Sequence, residues 1–347
     1  MKTVVPVQDM QVSAERGRSL LEFEGGVRYI LSDVEAMSGL SAGALHVSDA
    51  PDAPPAYRPA DFRGSRLAVP FIGGQGDAVA LLPVLATIRD LHPGISIEVI
   101  AAVGAAQVFA LSPAVDRVHP HPMTIASWRG FDAYLPLERI PGTVQAPNAG
   151  LARTFAAALG VPLALIRHPL RLPPLGPRTG GPLVVVAVGE AASMRSVPPP
   201  LVLQIVTALN ERGVASVLVG HLDDAYRFPS RPELLDLRGR TPTVVELANC
   251  LRLADAVVAH DSFVMHLAGA LERPTLALFA PSSAGIASDY RTVETLSSDA
   301  PCAPCGAATG ACPLGHGRCV AWDAVGAALD RLIDATCSIA EAVPALG

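Results

Sequence analysis

The run "RLAVPFIGGQGDAVALLPVLATIRDLHPGISIEVIAA" (Arg66–Ala102) limits the fold of this chain more than any other feature. It reads as an apolar strand, a glycine-rich turn, a helix and a second apolar strand. Strands so uniformly apolar cannot leave one face in water, and they belong to a parallel sheet covered by helices on both sides. "DAYLPL" (Asp132–Leu137) predicts a further strand. The alternation then breaks at "RHPLRLPPLGPRTGGP" (Arg167–Pro182), a Pro- and Gly-dense stretch that reads as an interdomain linker. It restarts with "LVVVAVG" (Leu183–Gly189), "ASVLVG" (Ala215–Gly220), "DAVVAHD" (Asp255–Asp261) and "PTLALFAPS" (Pro274–Ser282). The predicted class is therefore α/β, with two Rossmann-like doubly wound domains, 63–170 and 171–347, facing a cleft. Residues 1–62 differ, and read as a β-rich extension and linker. Within them, "LLEFEGGVRYIL" (Leu20–Leu31) predicts a hairpin turning at Gly25-Gly26, and "DAPDAPPAYRPADF" (Asp49–Phe62) reads as linker.

Composition removes several classes of function. Half of the 347 residues are hydrophobic and 17% are charged, which argues against disorder. The formal net charge is −6 and no basic stripe is present, so a nucleic-acid partner is not expected. "MKTVVPVQDM" lacks the apolar centre of an export signal, and no apolar run reaches the roughly 18–20 residues of a membrane span. These features predict a cytoplasmic protein, at most peripheral at the inner membrane, whose thiols stay reduced.

Ligands of doubly wound sheets bind outside the carboxyl ends of the strands, which directs attention to the loops there. "FIGGQGDAV" (Phe71–Val79) places Gly73, Gly74 and Gly76 where a helix opens, as anion-binding turns do. It lacks the last glycine of the dinucleotide fingerprint, and "ISIEVIAA" ends without the acidic residue that holds a ribose. A nicotinamide dehydrogenase is therefore disfavoured. Asp77 remains, either as a first-turn carboxylate favoured by the helix dipole by under about 1 kcal/mol or as a general base.

"LRGRTPTVVELANCLRLADAVVAHDSFVMHLAGALERPTLALFAPSS" (Leu237–Ser283) resembles the donor-binding segment of glycosyltransferase family nine, the bacterial lipopolysaccharide heptosyltransferases and their relatives. Leu237, Gly239, Thr241, Glu246, Leu247, Asp261, Ser262, His266, Ala268, Ala270, Pro274, Phe279 and Pro281 fall in register with it. "CPLGHGRC" is similar to a C-terminal stretch of heptosyltransferase II-like members. Three positions depart from the family pattern: Phe263 and Ala280 stand at glycines, and Arg195 at a phosphate-binding lysine. The resemblance implies a GT-B fold and inverting transfer without a catalytic cofactor or metal. The implied donor is a nucleotide sugar, most plausibly ADP-heptose, and the implied acceptor a lipopolysaccharide-type saccharide. It makes Asp77 the base and Arg195 the cation for the departing diphosphate. Gly76, Asp261, Ser262 and His266 become donor-binding positions, and Asp223 or Asp224, after the strand end "VLVGH", is a candidate to hold a ribose. Read without the resemblance, Arg195 is a surface charge, Asp261 and Ser262 are helix caps and His266 is a structural histidine. Three rival functions stay open: a protein acceptor in place of the saccharide, a GT-B epimerase that needs no acceptor, and a non-catalytic donor-binding assembly protein.

Four cysteines, Cys302, Cys305, Cys312 and Cys319, lie at C-x2-C-x6-C-x6-C spacing, with His316 able to replace one of them. Four thiolates suit zinc or iron, and a four-cysteine site leaves no open position for a substrate. The expectation is a structural metal, against unliganded thiols as the alternative. Some protein-modifying relatives of the resembling family hold structural iron by cysteines, which adds weight to iron.

Overall fold

In the computed structural model, the apolar runs become the central strands of two parallel sheets. The structure describes residues 2–6, 10–14, 19–24, 27–31, 45–49, 53–137, 149–189, 193–222, 227–306, 312, 314–315 and 324–342. The chain divides into two compact units, one of residues 1–141 with 152–171, the other of 142–151 with 172–347.

The first unit begins with β1 (Lys2–Pro6), β2 (Met10–Ala14), β3 (Ser19–Phe23), β4 (Tyr29–Leu31) and β5 (Leu45–Asp49). There follow β6 (Arg66–Phe71), α1 (Gln75–Leu91), β7 (Ser96–Ala101), α2 (Val103–Ala110) and β8 (Arg117–Pro120). It ends with β9 (Met123–Thr124), α3 (Ile125–Trp128), β10 (Ala133–Tyr134) and α4 (Leu151–Leu159). The parallel sheet has the order β10-β6-β7-β8, and a second, antiparallel sheet has the order β5-β1-β4-β9. Through β9 the extension pairs with a strand of the α/β unit itself.

The predicted hairpin over Leu20–Leu31 does not form. β3 pairs with β2, Val12 opposite Leu21, while β4 pairs with β1, Thr3 opposite Ile30. Gly25-Gly26 lie outside the described residues, but the rings of Phe23 and Tyr29 on either side meet edge to face at 5.1 Å. A local turn signal brings two strands near each other, yet pairing goes to whichever neighbour buries the apolar face. The predicted strand over Asp132–Leu137 is also shorter, because Pro136 has no N–H to continue the ladder.

The second unit contains β11 (Leu183–Ala187), α5 (Pro199–Glu211), β12 (Ala215–Val219), β13 (Leu234–Asp236) and α6 (Val244–Leu253). Then come β14 (Ala256–His260), α7 (Phe263–Ala270), β15 (Thr275–Phe279), β16 (Val293–Ser297) and α8 (Val325–Ala342). Its six strands are all parallel, in the order β13-β12-β11-β14-β15-β16. Alternate residues Val184, Val186, Leu276 and Leu278 face a core shared with Val202, Ile205 and Val206 of α5 and Leu329 and Leu332 of α8. Edge strands β13 and β16 carry no continuous apolar run, since an edge is not buried on both faces, and sequence pattern passed over them. α6 opens on a reciprocal cap: Thr243 Oγ1 accepts the Glu246 N–H at 3.2 Å, and the Thr243 N–H donates to Glu246 Oε2 at 2.9 Å.

At the end of β12 the chain passes under its neighbour. Gly220 has φ of 135°, and a Cβ there would stand 2.2 Å from the Val188 carbonyl oxygen. Gly220→Ala is therefore expected to destabilise the protein by about 2 kcal/mol or more, the cost of a strained backbone plus the clash. Urea unfolding checks this, through a lower midpoint at an unchanged m-value.

Candidate functional site

Numbered within its own unit, the second sheet has the order 3-2-1-4-5-6, and the chain reverses direction across the sheet between β11 and β14. The helices leaving these two neighbours pack on opposite faces, so a crevice opens at their carboxyl ends. The first sheet reverses likewise between β6 and β10, with the Gly73–Asp77 turn leaving β6.

The segment after β11 carries Arg195, and the residue after β14 is Asp261. Although 66 positions apart in sequence, they meet: Arg195 Nη1 donates to Asp261 Oδ2 at 3.3 Å. Asp261 is buried and the Arg195 side chain is 31% exposed, so the pair sits at the mouth of the crevice. Arg195 Nε is buried with no hydrogen-bond partner among the described residues. A guanidinium has five N–H donors, so this ion pair leaves donors for an anion.

His266 lies one turn into α7 and is buried. Its Nδ1 is hydrogen-bonded to the Tyr290 hydroxyl at 2.9 Å. Burial lowers its pKa to about 4; the Asp261 charge opposes the shift and the Arg195 charge adds to it. The ring is thus neutral at pH 7 and lies in the field of both members of the ion pair. Ser262 occupies the N-cap position of α7 but makes no side-chain cap, and its hydroxyl donates to the His260 carbonyl at 3.1 Å. Neither Asp261 nor Ser262 is spent on side-chain capping, so that alternative reading of the pair fails. Phe263 begins α7 in ordinary helical backbone; Glu272 is the one non-glycine residue with positive φ among those described. The position thus accepts a side chain, and its backbone does not demand glycine.

In the other unit, Gly76 and Asp77 fall in the first turn of α1. Asp77 Oδ2 accepts the Gly74 N–H at 3.0 Å, which orients the carboxylate at the helix N-terminus. The structure thus brings together Arg195, Asp261 and His266, with Ser262 beside them, and places Gly76 and Asp77 at the switch point of the other sheet. Asp223, Asp224 and Cys319 lie outside the described residues. Cys302 is partly buried against the second core and Cys305 is exposed. Among the described residues no group of three or more His, Cys, Asp or Glu side chains is gathered to hold a metal, so the expected thiolate cluster is not displayed. The donor set itself, four thiols within residues 302–319 of the sequence, suits zinc or iron. No helix among the described residues is long and apolar enough to cross a membrane. Tyr290 was not legible as a site residue. The one local hint is Gly269, three positions after His266, which leaves room on α7 for a bulky neighbour.

Comparison with known structures defines the class first: the fold is that of the two-domain GT-B heptosyltransferases. The structure of the ADP-heptose LPS heptosyltransferase II of E. coli aligns with a TM-score of 0.58 at 14% identity, covering 80% of this chain and all of that one. The iron-containing dodecameric glycosyltransferase TibC of enterotoxigenic E. coli aligns at 0.59 and 15% identity, covering 98% and 94% of the two chains. The family signal lies in the second unit, where residues 204–313 match glycosyltransferase family 9 (heptosyltransferase). The lipopolysaccharide heptosyltransferase 1 of Pseudomonas aeruginosa is 41% identical over 96 residues, 27% of this chain. That alignment spans about a quarter of the relative's length (24%).

The depressed His266 pKa has a consequence for stability. Between about pH 4 and pH 6.5 the unfolded chain binds the imidazole proton and the folded chain does not. The contribution is fully present above pH 6.5 and is lost as pH falls toward 4, on the order of 3 kcal/mol in all for a fully buried ring. His266→Gln is expected to flatten the fall in unfolding free energy across this window relative to the parent protein, as read by urea titrations at several pH values.

Proposed function

We propose that this chain is a glycosyltransferase that moves a sugar from a nucleotide-sugar donor, ADP-heptose, to a saccharide acceptor of lipopolysaccharide type. The observation that carries this reading is the Arg195–Asp261 pair, with its unsatisfied guanidinium N–H, at the switch point of a sheet whose strands β12 to β16, and Asp261 with them, lie within the residues 204–313 that match family 9. The donor class is supported by the heptosyltransferase II likeness, whose name specifies ADP-heptose. The setting we propose is the cytoplasm.

In this mechanism Asp77 accepts the proton of the acceptor hydroxyl as that oxygen attacks the anomeric carbon. The bond from the anomeric carbon to the diphosphate breaks, and its electron pair leaves with the diphosphate. Arg195 and the backbone N–H groups that open α7 offset the growing negative charge. Asp261 accepts hydrogen bonds from donor sugar hydroxyls, and Ser262 can turn its hydroxyl from the His260 carbonyl to a phosphate oxygen. His266, neutral, adds a hydrogen-bonding group without a second positive charge.

A thermal-shift panel of nucleotide sugars followed by a transfer assay tests the reading. ADP-heptose is expected to raise the melting temperature more than UDP- or GDP-sugars do. Asp77→Asn should abolish transfer while donor binding stays close to the parent's, and Arg195→Ala should weaken ADP binding by roughly tenfold or more, with Arg195→Lys in between. Full turnover by Asp77→Asn would remove the base from the scheme. Product formed with no acceptor present would indicate an epimerase instead.

We further propose that Cys302, Cys305, Cys312 and Cys319 hold one structural zinc or iron ion. Support comes from their spacing and from the likeness to an iron-containing glycosyltransferase. The ion would tie together residues 302–319 and take no part in transfer. Elemental analysis of protein purified without chelator or tag metal is expected to give one ion per chain. Exchanging Cys302 and Cys305 for Ser should lower the melting temperature more than it lowers donor affinity. Metal content near zero with four reactive thiols would refute this.

A further inference from the structure

We propose that Tyr290 is a positioning residue of the donor site, its hydroxyl donating to Nδ1 of His266 and so holding the ring proton on Nε2. The inference rests on the reading of His266 as part of that site. Several observations place Tyr290 there. A 3-10 turn (Ala284–Ala287), whose N-cap Ser283 accepts the Gly285 N–H at 3.2 Å, delivers the Tyr290 backbone, and the Tyr290 N–H donates to the Ala287 carbonyl at 3.0 Å. The ring then lies on α7 over Gly269. A Cβ at that glycine would come within 2.5 Å of Tyr290 Cγ, so any other residue would push the phenol away. Tyr290 and His266 are each about 5% exposed, and their rings stand edge to face at 5.6 Å.

Two buried groups that can each donate or accept must divide those roles between them. A neutral imidazole carries one proton. If it sat on Nδ1, the tyrosine would be the acceptor and Nε2 would offer a lone pair. The chemistry of the two groups decides otherwise: a phenol O–H is a better donor and a poorer acceptor than an imidazole nitrogen, so the 2.9 Å bond at Nδ1 is stronger with the tyrosine donating and the ring proton on Nε2. Nε2 is then an N–H donor, suited to a phosphate or sugar oxygen, and the tyrosine must be the donor at Nδ1. A hydrogen bond of this kind to the far nitrogen sets the tautomer of the near one. Tyr290 thus acts on the ligand through His266 without touching it.

Nitrogen NMR of protein labelled at histidine tests this on the full chain, with His266→Gln identifying the relevant signal among the nine histidines. At pH 7 the parent protein is expected to show His266 as the Nε2–H tautomer. In Tyr290→Phe, which keeps the ring and its packing, that signature should give way to a tautomer mixture. The dissociation constant for ADP-heptose should rise roughly threefold to tenfold. An Nδ1–H pattern in the parent protein would overturn the proposal, and so would an unaltered tautomer in Tyr290→Phe. Absence of nucleotide-sugar binding with the Nε2–H pattern intact would count against the donor reading while supporting the pairing itself.

Discussion

The parallel pairing of β11 with β14 is the constraint on which the rest depends. Val184, Val185 and Val186 lie opposite Ala256, Val257 and Val258, in the middle of a sheet buried on both faces. From this seam the chain runs outward in two directions, through β12 and β13 on one side and β15 and β16 on the other. Right-handed crossovers then send the flanking helices to opposite faces. A gap must open where they part, and it opens at the carboxyl ends, where Arg195 and Asp261 stand. The first unit repeats the device between β6 and β10, and Asp77 marks its reversal.

The electrostatics of the second unit follow from that gap. Burying a lone carboxylate is expensive, and Asp261 is buried; Arg195 offsets the cost while staying partly in solvent. With Asp261 desolvated, the attraction between the pair largely repays that cost and adds little net stability, so its worth lies in holding a cation where an anion can reach it. His266 completes the arrangement by not being charged. A second positive group so deep in the core would repel Arg195, and burial keeps the ring neutral. Positive charge in this Arg195–Asp261–His266 group is thereby left on the partly exposed Arg195.

The N-terminal extension shows how far pairing is a tertiary decision. β4 joins β1 on one side and β9 on the other, so a strand from the extension and a strand of the α/β unit share a sheet. Tyr29, opposite Thr124, is buried although its sequence surroundings read as one arm of a local hairpin. The strands existed in the pattern, and their partners did not.

By itself, the sequence determined the class of fold. Continuous apolar strands such as Leu183–Val188 and Ala256–His260 admit few arrangements other than a parallel sheet between helices. It also marked the loops, since Gly73–Asp77 and Asp261–Ser262 follow such strands directly. Only the tertiary structure decided which of these residues meet. Arg195 and Asp261 are far apart in the chain, and the strand order that joins them is a property of the whole sheet. Edge strands β13 and β16 escaped notice because half-exposed strands lose the apolar signature. Tyr290 was hidden for a related reason: its meaning lies in a contact with His266 across 24 positions, made possible by the missing side chain of Gly269. Periodicity reports how a residue faces its own element, whereas a site is made by residues from different elements facing one another.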